Sequence, residues 1–180
     1  MNHSPVNPGA VTIRYMRLSD LEQVQAIDRI SFSLPWPESA FRYELMENKV
    51  SLPMVAEIDQ ETGNKRVVAT VVIWLIVDEA HIATLAVHPD YRRQGIGKKL
   101  LARALLEAIQ KRANTATLEV RANNMSAQSL YRKFGFEIVG RRPRYYKDNY
   151  EDAVIMTNTH LDLAYRDWLR TIADEEPIRD

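Results

Sequence analysis

A run of basic and glycine residues near the middle of the chain has the composition of an anion-binding turn. It is Arg92-Arg93-Gln94-Gly95-Ile96-Gly97, and it joins a predicted strand at 81–87 to a predicted helix that ends near residue 113. The first N–H groups of a helix lack intrahelical partners and carry partial positive charge, so phosphate oxygens bind well there. Glycine lets the backbone approach a diphosphate, and the arginines, Lys98 and Lys99 add positive charge. The alternative is a simple strand-to-helix turn with solvated basic side chains, because short glycine motifs also occur without ligands.

Two common nucleotide-binding motifs are excluded by the residues around these glycines. A phosphate-binding loop of the GxxxxGK[ST] type would need glycine at position 92 and Ser or Thr at position 99, where the chain has Arg92 and Lys99. A dinucleotide-binding GxGxxG turn would need a third glycine at position 100, which is Leu100. The turn therefore favours a phosphorylated ligand of another kind.

Composition sets the class of protein and removes several kinds of chemistry. The chain has 180 residues, 46% apolar and 27% charged, which predicts one globular domain. The formal net charge is +0, so contact with nucleic acid or membrane would need a local patch, and neither is predicted. No run approaches the roughly 18 apolar residues of a membrane span, and the polar residues 1–10 do not resemble a signal segment, so we expect a cytoplasmic protein.

Cysteine and histidine usage points away from thiol and metal chemistry. The sequence contains no cysteine, which excludes disulfides, thiolate metal sites and a cysteine-bound acyl group. The four histidines, at positions 3, 81, 88 and 160, have no ligand-like spacing, and we predict no metal site. We interpret His81 and His88 as ordinary structural or surface residues.

Hydrophobic periodicity and turn residues predict a mixed order of strands and helices. The elements are a strand at 11–16, a helix from a capping box at 19–22 to residue 31, a helix at 38–47, a hairpin of strands 52–58 and 67–77, the strand at 81–87, the long helix to 113, a strand at 115–122, a helix at 126–134, a hairpin of strands 136–140 and 153–157, and a helix at 161–173. Asn123 or Asn124 is positioned to cap the helix at 126–134, and Gly135 to end it. We divide the chain into a flexible lead at 1–10, one domain at 11–158, and a helix with a charged tail at 159–180.

The long helix connects two strands that should be parallel neighbours. Ligands of such crossovers bind at the carboxyl ends of the strands. Glu119, near the end of the strand at 115–122, is therefore expected close to the glycine turn. The arginine- and tyrosine-rich residues 141–152 are longer than a hairpin requires, which favours a binding loop.

In this context the glycine turn resembles the acyl-coenzyme A signature of the GNAT superfamily of N-acetyltransferases. Separate segments support the resemblance: Leu85-Ala86-Val87-His88-Pro89, Leu118-Glu119-Val120-Arg121-Ala122-Asn123-Asn124, and Leu130-Tyr131-x-x-x-Gly135-Phe136. It implies an α/β (α+β) GNAT fold, with a central mixed seven-stranded sheet flanked by helices, in the order βααβββαβαββ plus a C-terminal helix.

Within that superfamily the chain is similar to the RimI-type ribosomal-protein alanine N-acetyltransferases of bacteria. The similarity lies in Phe32-Ser33-Leu34-Pro35-Trp36, in Glu119-Val120-Arg121-Ala122, and in Tyr145-Tyr146 followed by Glu151-Asp152-Ala153-Val154-Ile155-Met156. It implies transfer of acetyl from acetyl-CoA to a protein N-terminal amine, that of an alanine on a small-subunit ribosomal protein. Acetylation of a lysine, a polyamine or another small amine stays open, as does a non-catalytic acyl-CoA sensor or ribosome-associated module.

The resemblance also implies where acetyl-CoA binds. Backbone groups of Leu85, Ala86 and Val87 would hold the acetyl and pantetheine arm, and Asn124 would contact the coenzyme in addition to capping its helix. The diphosphate would be wrapped by the consecutive residues Arg93, Gln94, Gly95, Ile96, Gly97 and Lys98.

Two further side chains would carry the chemistry. An α-ammonium with a pKa of about 7.7–8 must lose a proton before it attacks a thioester, and Glu119 matches the family's base, acting directly or through water. Tyr131 matches the acid that protonates the departing thiolate. The structural alternatives are an ion pair of Glu119 with Arg121 or a helix lysine, and a half-buried aromatic role for Tyr131.

Three aromatic residues are candidates for the acceptor site. Trp36 lies in the proline-rich joint after the first helix, and Tyr145 and Tyr146 lie in the long loop. They would hold the backbone of the acceptor's N-terminus. The alternative for each is hydrophobic packing, because aromatic loop residues serve both purposes.

Overall fold

A single mixed sheet forms the centre of the computed structural model, which describes residues 11–60 and 63–173. The strands are β1 Val11–Tyr15, β2 Ser51–Asp59, β3 Lys65–Ile76, β4 Glu79–Val87, β5 Thr115–Arg121, β6 Glu137–Arg142 and β7 Ala153–Asn158. They are arranged in the seven-stranded order β1-β2-β3-β4-β5-β7-β6. The neighbours β4 and β5 are parallel and the other pairs are antiparallel. The predicted sheet and order of elements are confirmed.

Helices cover both faces of the sheet. They are α1 Leu21–Ser31, α2 Ala40–Met46, α3 Ile96–Gln110, α4 Met125–Lys133 and α5 Leu163–Ala173. Side chains on successive strand residues point to opposite faces, so the core has two parts. In β2, Met54 and Ala56 pack in the cluster that contains α3 and α5 residues, and Val55 between them packs in the cluster that contains α1.

The start of α1 differs from the prediction. The capping box of Ser19 and Glu22 is wrong, because Leu18–Asp20 form a turn of 3-10 helix before α1. The carboxylate of Asp20 accepts the backbone N–H of Arg17 at 2.7 Å. Asp20 also pairs with Arg14 at 2.7 Å, and this tertiary ion pair draws the buried Asp20 inward.

Strands β4 and β5 separate towards their carboxyl ends. Their paired registers run from Glu79 opposite Thr115 to Ile82 opposite Leu118, although β4 continues to Val87 and β5 to Arg121. On its other side, β4 shifts register against β3 between Ile82 and Thr84, which leaves Ala83 as a bulge. A bulge bends and twists a strand. The bulge lies where the two parallel strands begin to diverge and leave an opening between them.

Helix α5 docks on the end of α4. The hydroxyl of Tyr165 donates to the Phe134 carbonyl at 2.8 Å, and Asn158 Nδ2 donates to the same oxygen at 2.9 Å. Trp168 meets the Phe134 ring edge-on, with centroids 5.4 Å apart. Leu169 is fully buried beside them. The predicted terminal helix is confirmed, whereas the expected lead at 1–10 and the charged residues 174–180 lie outside the described residues.

This docking makes Leu169 a test of how much α5 stabilises the domain. We expect Leu169→Ala to lower the free energy of unfolding by about 2–5 kcal/mol, because it leaves a cavity against α3 and Phe134. Urea denaturation followed by circular dichroism measures the change. The matched control is Leu163→Ala on the same helix, where the side chain is 68% exposed and the expected change is within about 0.5 kcal/mol. Equal effects of the two substitutions would show that α5 is not docked in solution.

Candidate active site

A cavity of about 200 Å³ occupies the opening between β4 and β5. Its walls come from the diverging strands, from α4 and from two loops. The α1–α2 loop consists of residues 32–39 and the β6–β7 loop of residues 143–152. The lining residues are Phe32, Leu34, Trp36, Ile82, Ala83, Thr84, Leu85, Glu119, Val120, Arg121, Asn124, Ala127, Tyr131 and Tyr146. The cavity therefore contains both residues predicted to do the chemistry.

Glu119 is the carboxylate of this cavity and is held on two sides. Its Oε2 lies 3.3 Å from His81 Nε2, and its Oε1 lies 3.1 Å from Arg142 Nη2. Its side chain is 15% exposed, so it reaches the cavity without being fully solvated. The alternative of an ion pair is thus present, but the partner is Arg142 and not Arg121. A carboxylate held in this way can still accept a proton from a group in the cavity.

Tyr131 faces the cavity from α4. The residue is 7% exposed, and its ring packs on Phe136 with centroids 5.8 Å apart. Burial, followed by the neighbouring Tyr146, raises the pKa of Tyr131 well above its ordinary value. A phenol in this environment stays protonated at neutral and mildly alkaline pH, so it can donate a proton or a hydrogen bond.

The ends of α4 fix the position of Tyr131, and both follow the local prediction. Asn124 Oδ1 accepts the Ala127 N–H at 3.1 Å and caps the helix. Gly135 follows α4 with a φ of 75°, a value that glycine adopts without strain. Asn124 also lines the cavity, so the predicted capping role is confirmed and a second contact with a ligand is sterically open.

The glycine turn lies beyond the carboxyl end of β4, at the start of α3. Gly95 is the N-cap residue with a φ of 81°, in the left-handed region. A side chain at Gly97 would place its Cβ 3.1 Å from Val87 Cγ2, so glycine allows α3 to pack closely on β4. Ile96 is buried, and only its backbone can meet a ligand. Arg92 Nε donates to the Val87 carbonyl at 2.9 Å, which ties the turn to the strand.

The predicted donor-binding residues other than Asn124 follow the chain from the end of β4 into α3, and few of them reach the cavity. Leu85 and Asn124 line it, whereas Ala86, Val87 and the residues from Arg93 to Lys98 continue from it along the end of β4 into α3. An extended ligand with its reactive end in the cavity and its anionic part at the α3 N-terminus matches this arrangement.

The predicted acceptor-site aromatics divide into two groups. Trp36 and Tyr146 line the cavity from opposite loops. Burial raises the pKa of Tyr146 to about 12. Tyr145 lies outside and is 44% exposed, with its ring 5.3 Å from that of Tyr146 in an edge-on contact. Two of the three predicted aromatic residues therefore line the cavity.

Three residues around Glu119 were not predicted as site residues. His81 was interpreted as structural or surface, yet it contacts Glu119 and stacks on Trp74 at 5.5 Å. Arg142 pairs with the other Glu119 oxygen, and Arg121 joins the two loops. His81 lies opposite Thr117 in the β4–β5 register, which places Glu119 diagonally from it. His81 could have been predicted as a neighbour of Glu119 only if the β4–β5 register had been known, and the sequence does not give that register.

Comparison with known proteins identifies the family of this chain. Residues 21–136 match the acetyltransferase (GNAT) family. The chain belongs to the GNAT family of acetyltransferases. The predicted superfamily, fold and enzyme class are therefore confirmed.

Relatives of this acetyltransferase include proteins named as N-acetyltransferases of a ribosomal protein. An Escherichia coli (strain K12) protein named ribosomal protein bS18-alanine N-acetyltransferase is 34% identical over 147 residues, 81% of this chain and 95% of that protein. A Bacillus subtilis (strain 168) protein, provisionally named for the same activity, is 40% identical over 144 residues, 80% of this chain and 92% of its own.

Solved structures show the same fold. The crystal structure of the ribosomal-protein-S18-alanine N-acetyltransferase from Escherichia coli superposes with a TM-score of 0.71 at 33% identity, over 82% of this chain and 92% of that one. The Arabidopsis thaliana NAA60 structure, in complex with acetyl-CoA, shares the fold with a TM-score of 0.74 at 19% identity, over 83% of this chain and 98% of that one.

Among the residues 11–60 and 63–173, no helix is long and apolar enough to cross a membrane. In the same part of the chain, no group of three or more His, Asp or Glu side chains is arranged to hold a metal ion.

Proposed function

We propose that this acetyltransferase transfers acetyl from acetyl-CoA to the N-terminal α-amine of a protein in the cytoplasm, and that its acceptor is the N-terminal alanine of a small-subunit ribosomal protein. The observation that carries the proposal is the convergence of Glu119 and Tyr131 on one cavity at the β4–β5 opening. The names of the Escherichia coli and Bacillus subtilis relatives support the choice of acceptor.

The donor site follows the open edge of β4. Leu85, Ala86 and Val87 lie beyond Ile82, the last residue of β4 that pairs with β5, although they still pair with β3 on the other side. Those of their backbone groups that face away from β3 would hydrogen-bond the pantetheine arm of acetyl-CoA. The N–H groups at the start of α3 would take the diphosphate, and the glycines keep side chains away from it. Asn124 would contact the coenzyme through the part of its amide that does not cap α4. A protein of the same fold that holds acetyl-CoA supports this assignment.

The acceptor amine would enter from the side of the two loops. Trp36 and Tyr146 line the cavity from the two loops and would bracket the first residue of a peptide, and the exposed Tyr145 contacts Tyr146 outside the lining. Glu119 also lines the cavity, and its negative charge attracts an α-ammonium. A small first residue such as alanine fits a cavity of about 200 Å³ that must also contain an acetyl group.

The reaction needs two protons removed from the nitrogen and one supplied to the sulfur. Glu119 would accept the proton of the α-ammonium and release it to solvent, and the neutral amine would attack the thioester carbonyl. As the C–N bond forms and the C–S bond breaks, the nitrogen would lose its second proton to Glu119 or to water, which leaves the neutral amide. Tyr131 would give its proton to the departing thiolate and recover one from solvent. His81 orients the Glu119 carboxylate, and the absence of cysteine favours direct attack over an acyl-enzyme.

A peptide panel tests the acceptor. We expect acetylation of a peptide with a free N-terminal alanine, and loss of at least about tenfold in kcat/KM when the same N-terminus is blocked, because the neutral α-amine is the nucleophile. Mass spectrometry of the products locates the added acetyl group. A matched peptide with a blocked N-terminus and an internal lysine is the control. Acetylation of internal lysines or of polyamines alone would contradict the proposal.

A further inference from the structure

Arg121 lies at the meeting point of the two loops that wall the acceptor side of the cavity. It is two residues after Glu119 on β5, so both side chains leave the same face of the strand. Its Nη2 donates to Ser33 Oγ at 2.9 Å in the α1–α2 loop and to Asp148 Oδ2 at 2.8 Å in the β6–β7 loop. One guanidinium therefore contacts both walls.

The two loops also touch each other at this point. Ser33 Oγ donates a short hydrogen bond to the same Asp148 oxygen that Arg121 binds. Ser33, Asp148 and Arg121 thus form a closed triangle, which we term the loop bridge. That hydrogen bond, followed by the one from Arg121, lowers the pKa of Asp148, so its carboxylate remains charged at neutral pH.

Arg121, on β5, also contacts residues of the β6–β7 loop that lie at the cavity. Its guanidinium carbon lies 3.8 Å from the centre of the Tyr146 ring, a cation–π contact. Its Nη1 donates to Asn149 Oδ1 and Glu151 Oε2, each at 3.1 Å. Glu151 in turn accepts the Asn123 N–H at 2.8 Å, which joins this loop to the start of α4. The Arg121 guanidinium therefore contacts both loops directly and the start of α4 through Glu151.

We propose that Arg121 is a positioning residue that sets the width of the acceptor entrance by holding the two loops together through the loop bridge. The inference rests on the proposed function only for the identity of the acceptor. Ser33 brings Phe32 and Leu34 to one side of the cavity, and Arg121 stacks Tyr146 on the other. An acceptor bracketed by these walls loses affinity when the loops separate, whereas the β4 backbone that would hold the donor is not part of the loop bridge.

Ser33→Ala is the sharpest test, because it removes the contact between the loops and leaves the bonds of Arg121 to Asp148, Asn149 and Glu151 in place. We expect the KM for the acceptor peptide to rise about 3- to 10-fold, the net effect of an ordinary hydrogen bond, because the two bonds of Ser33 to Asp148 and Arg121 lie at an exposed site. The KM for acetyl-CoA and kcat should change less than about twofold. Asp148→Ala should act non-additively with it in a double-mutant cycle. The control is Ser19→Ala, at an exposed serine in the turn before α1.

Hydrogen exchange gives a readout that needs no acceptor. Ser33→Ala should speed amide exchange in residues 143–152, although Ser33 lies 115 positions from Asp148 in sequence. Unchanged exchange in that loop would overturn the inference, whatever the acceptor is. Faster exchange with an unchanged acceptor KM would also overturn it, because the bridge would then not position the acceptor. If the wild-type enzyme acetylates no N-terminal peptide, the proposed function fails, and the same rise in KM is expected for the amine that it does accept.

Discussion

Glu119→Gln is expected to lower kcat for acetyl transfer to an N-terminal alanine peptide by about 10²- to 10⁴-fold, the range for loss of a general base. Glutamine fills nearly the same volume but cannot accept the proton of the α-ammonium. It can still hydrogen-bond Arg142 and His81, which lie at 3.1 and 3.3 Å from the carboxylate. The fold and the donor site along β4 should therefore persist. Steady-state kinetics together with calorimetric titration of acetyl-CoA measures both properties.

The pH profile separates loss of a base from loss of structure. In the variant, solvent must deprotonate the acceptor, so the residual rate should rise with pH up to the amine pKa of about 8. The ratio of wild-type to variant kcat should therefore narrow as pH increases. Glu137→Gln, at an exposed position on the edge strand β6, is the control and should keep wild-type turnover. Wild-type turnover in Glu119→Gln, or a ratio that does not depend on pH, would show that Glu119 is not the base.

Tyr131→Phe is expected to lower kcat by about 10²-fold or more, because the thiolate would leave without a proton donor. The substitution removes one oxygen and keeps the ring that packs on Phe136. We therefore expect the KM for acetyl-CoA to change less than about threefold. The raised pKa of Tyr131 carries a second expectation for the wild type. Because the hydroxyl stays protonated when burial opposes its charge, activity should show no loss from this group below about pH 10.

Stopped-flow or steady-state assays from pH 6 to 10 measure both effects. Tyr43→Phe, on α2 with a side chain that is 51% exposed, is the matched control. A decrease in wild-type kcat centred well below pH 10 that is absent in Tyr131→Phe would contradict the raised pKa. Retention of full turnover in the variant would assign the proton donor to solvent or to another residue.

Features set by a few neighbouring residues could be predicted from the sequence. Asn124 caps α4 and Gly135 ends it, because side-chain acceptors and positive φ values satisfy helix ends locally. The prediction that Ser19 caps α1 was wrong because a partner outside the local segment competes. Asp20 pairs with Arg14 of β1, and residues 18–20 form a turn of 3-10 helix before α1. Local rules hold where no tertiary partner competes.

The candidate active site likewise combines features that the sequence predicts with features that only the tertiary structure determines. The order of strands and helices and the glycine turn follow from short motifs and their spacing, whereas Glu119 and Tyr131 became candidate base and acid through the resemblance to the GNAT superfamily. The opening between β4 and β5 does not, because it depends on the Ala83 bulge and on the register of strands joined through a long helix. The contacts of Glu119 with His81 and Arg142, and of Arg121 with Ser33 and Asp148, join residues far apart in the chain. Hydrophobic periodicity and helix caps depend on interactions between residues that are close in the sequence, so they can be read from it. The contacts within the site depend on how separate elements pack, and only folding brings those residues together.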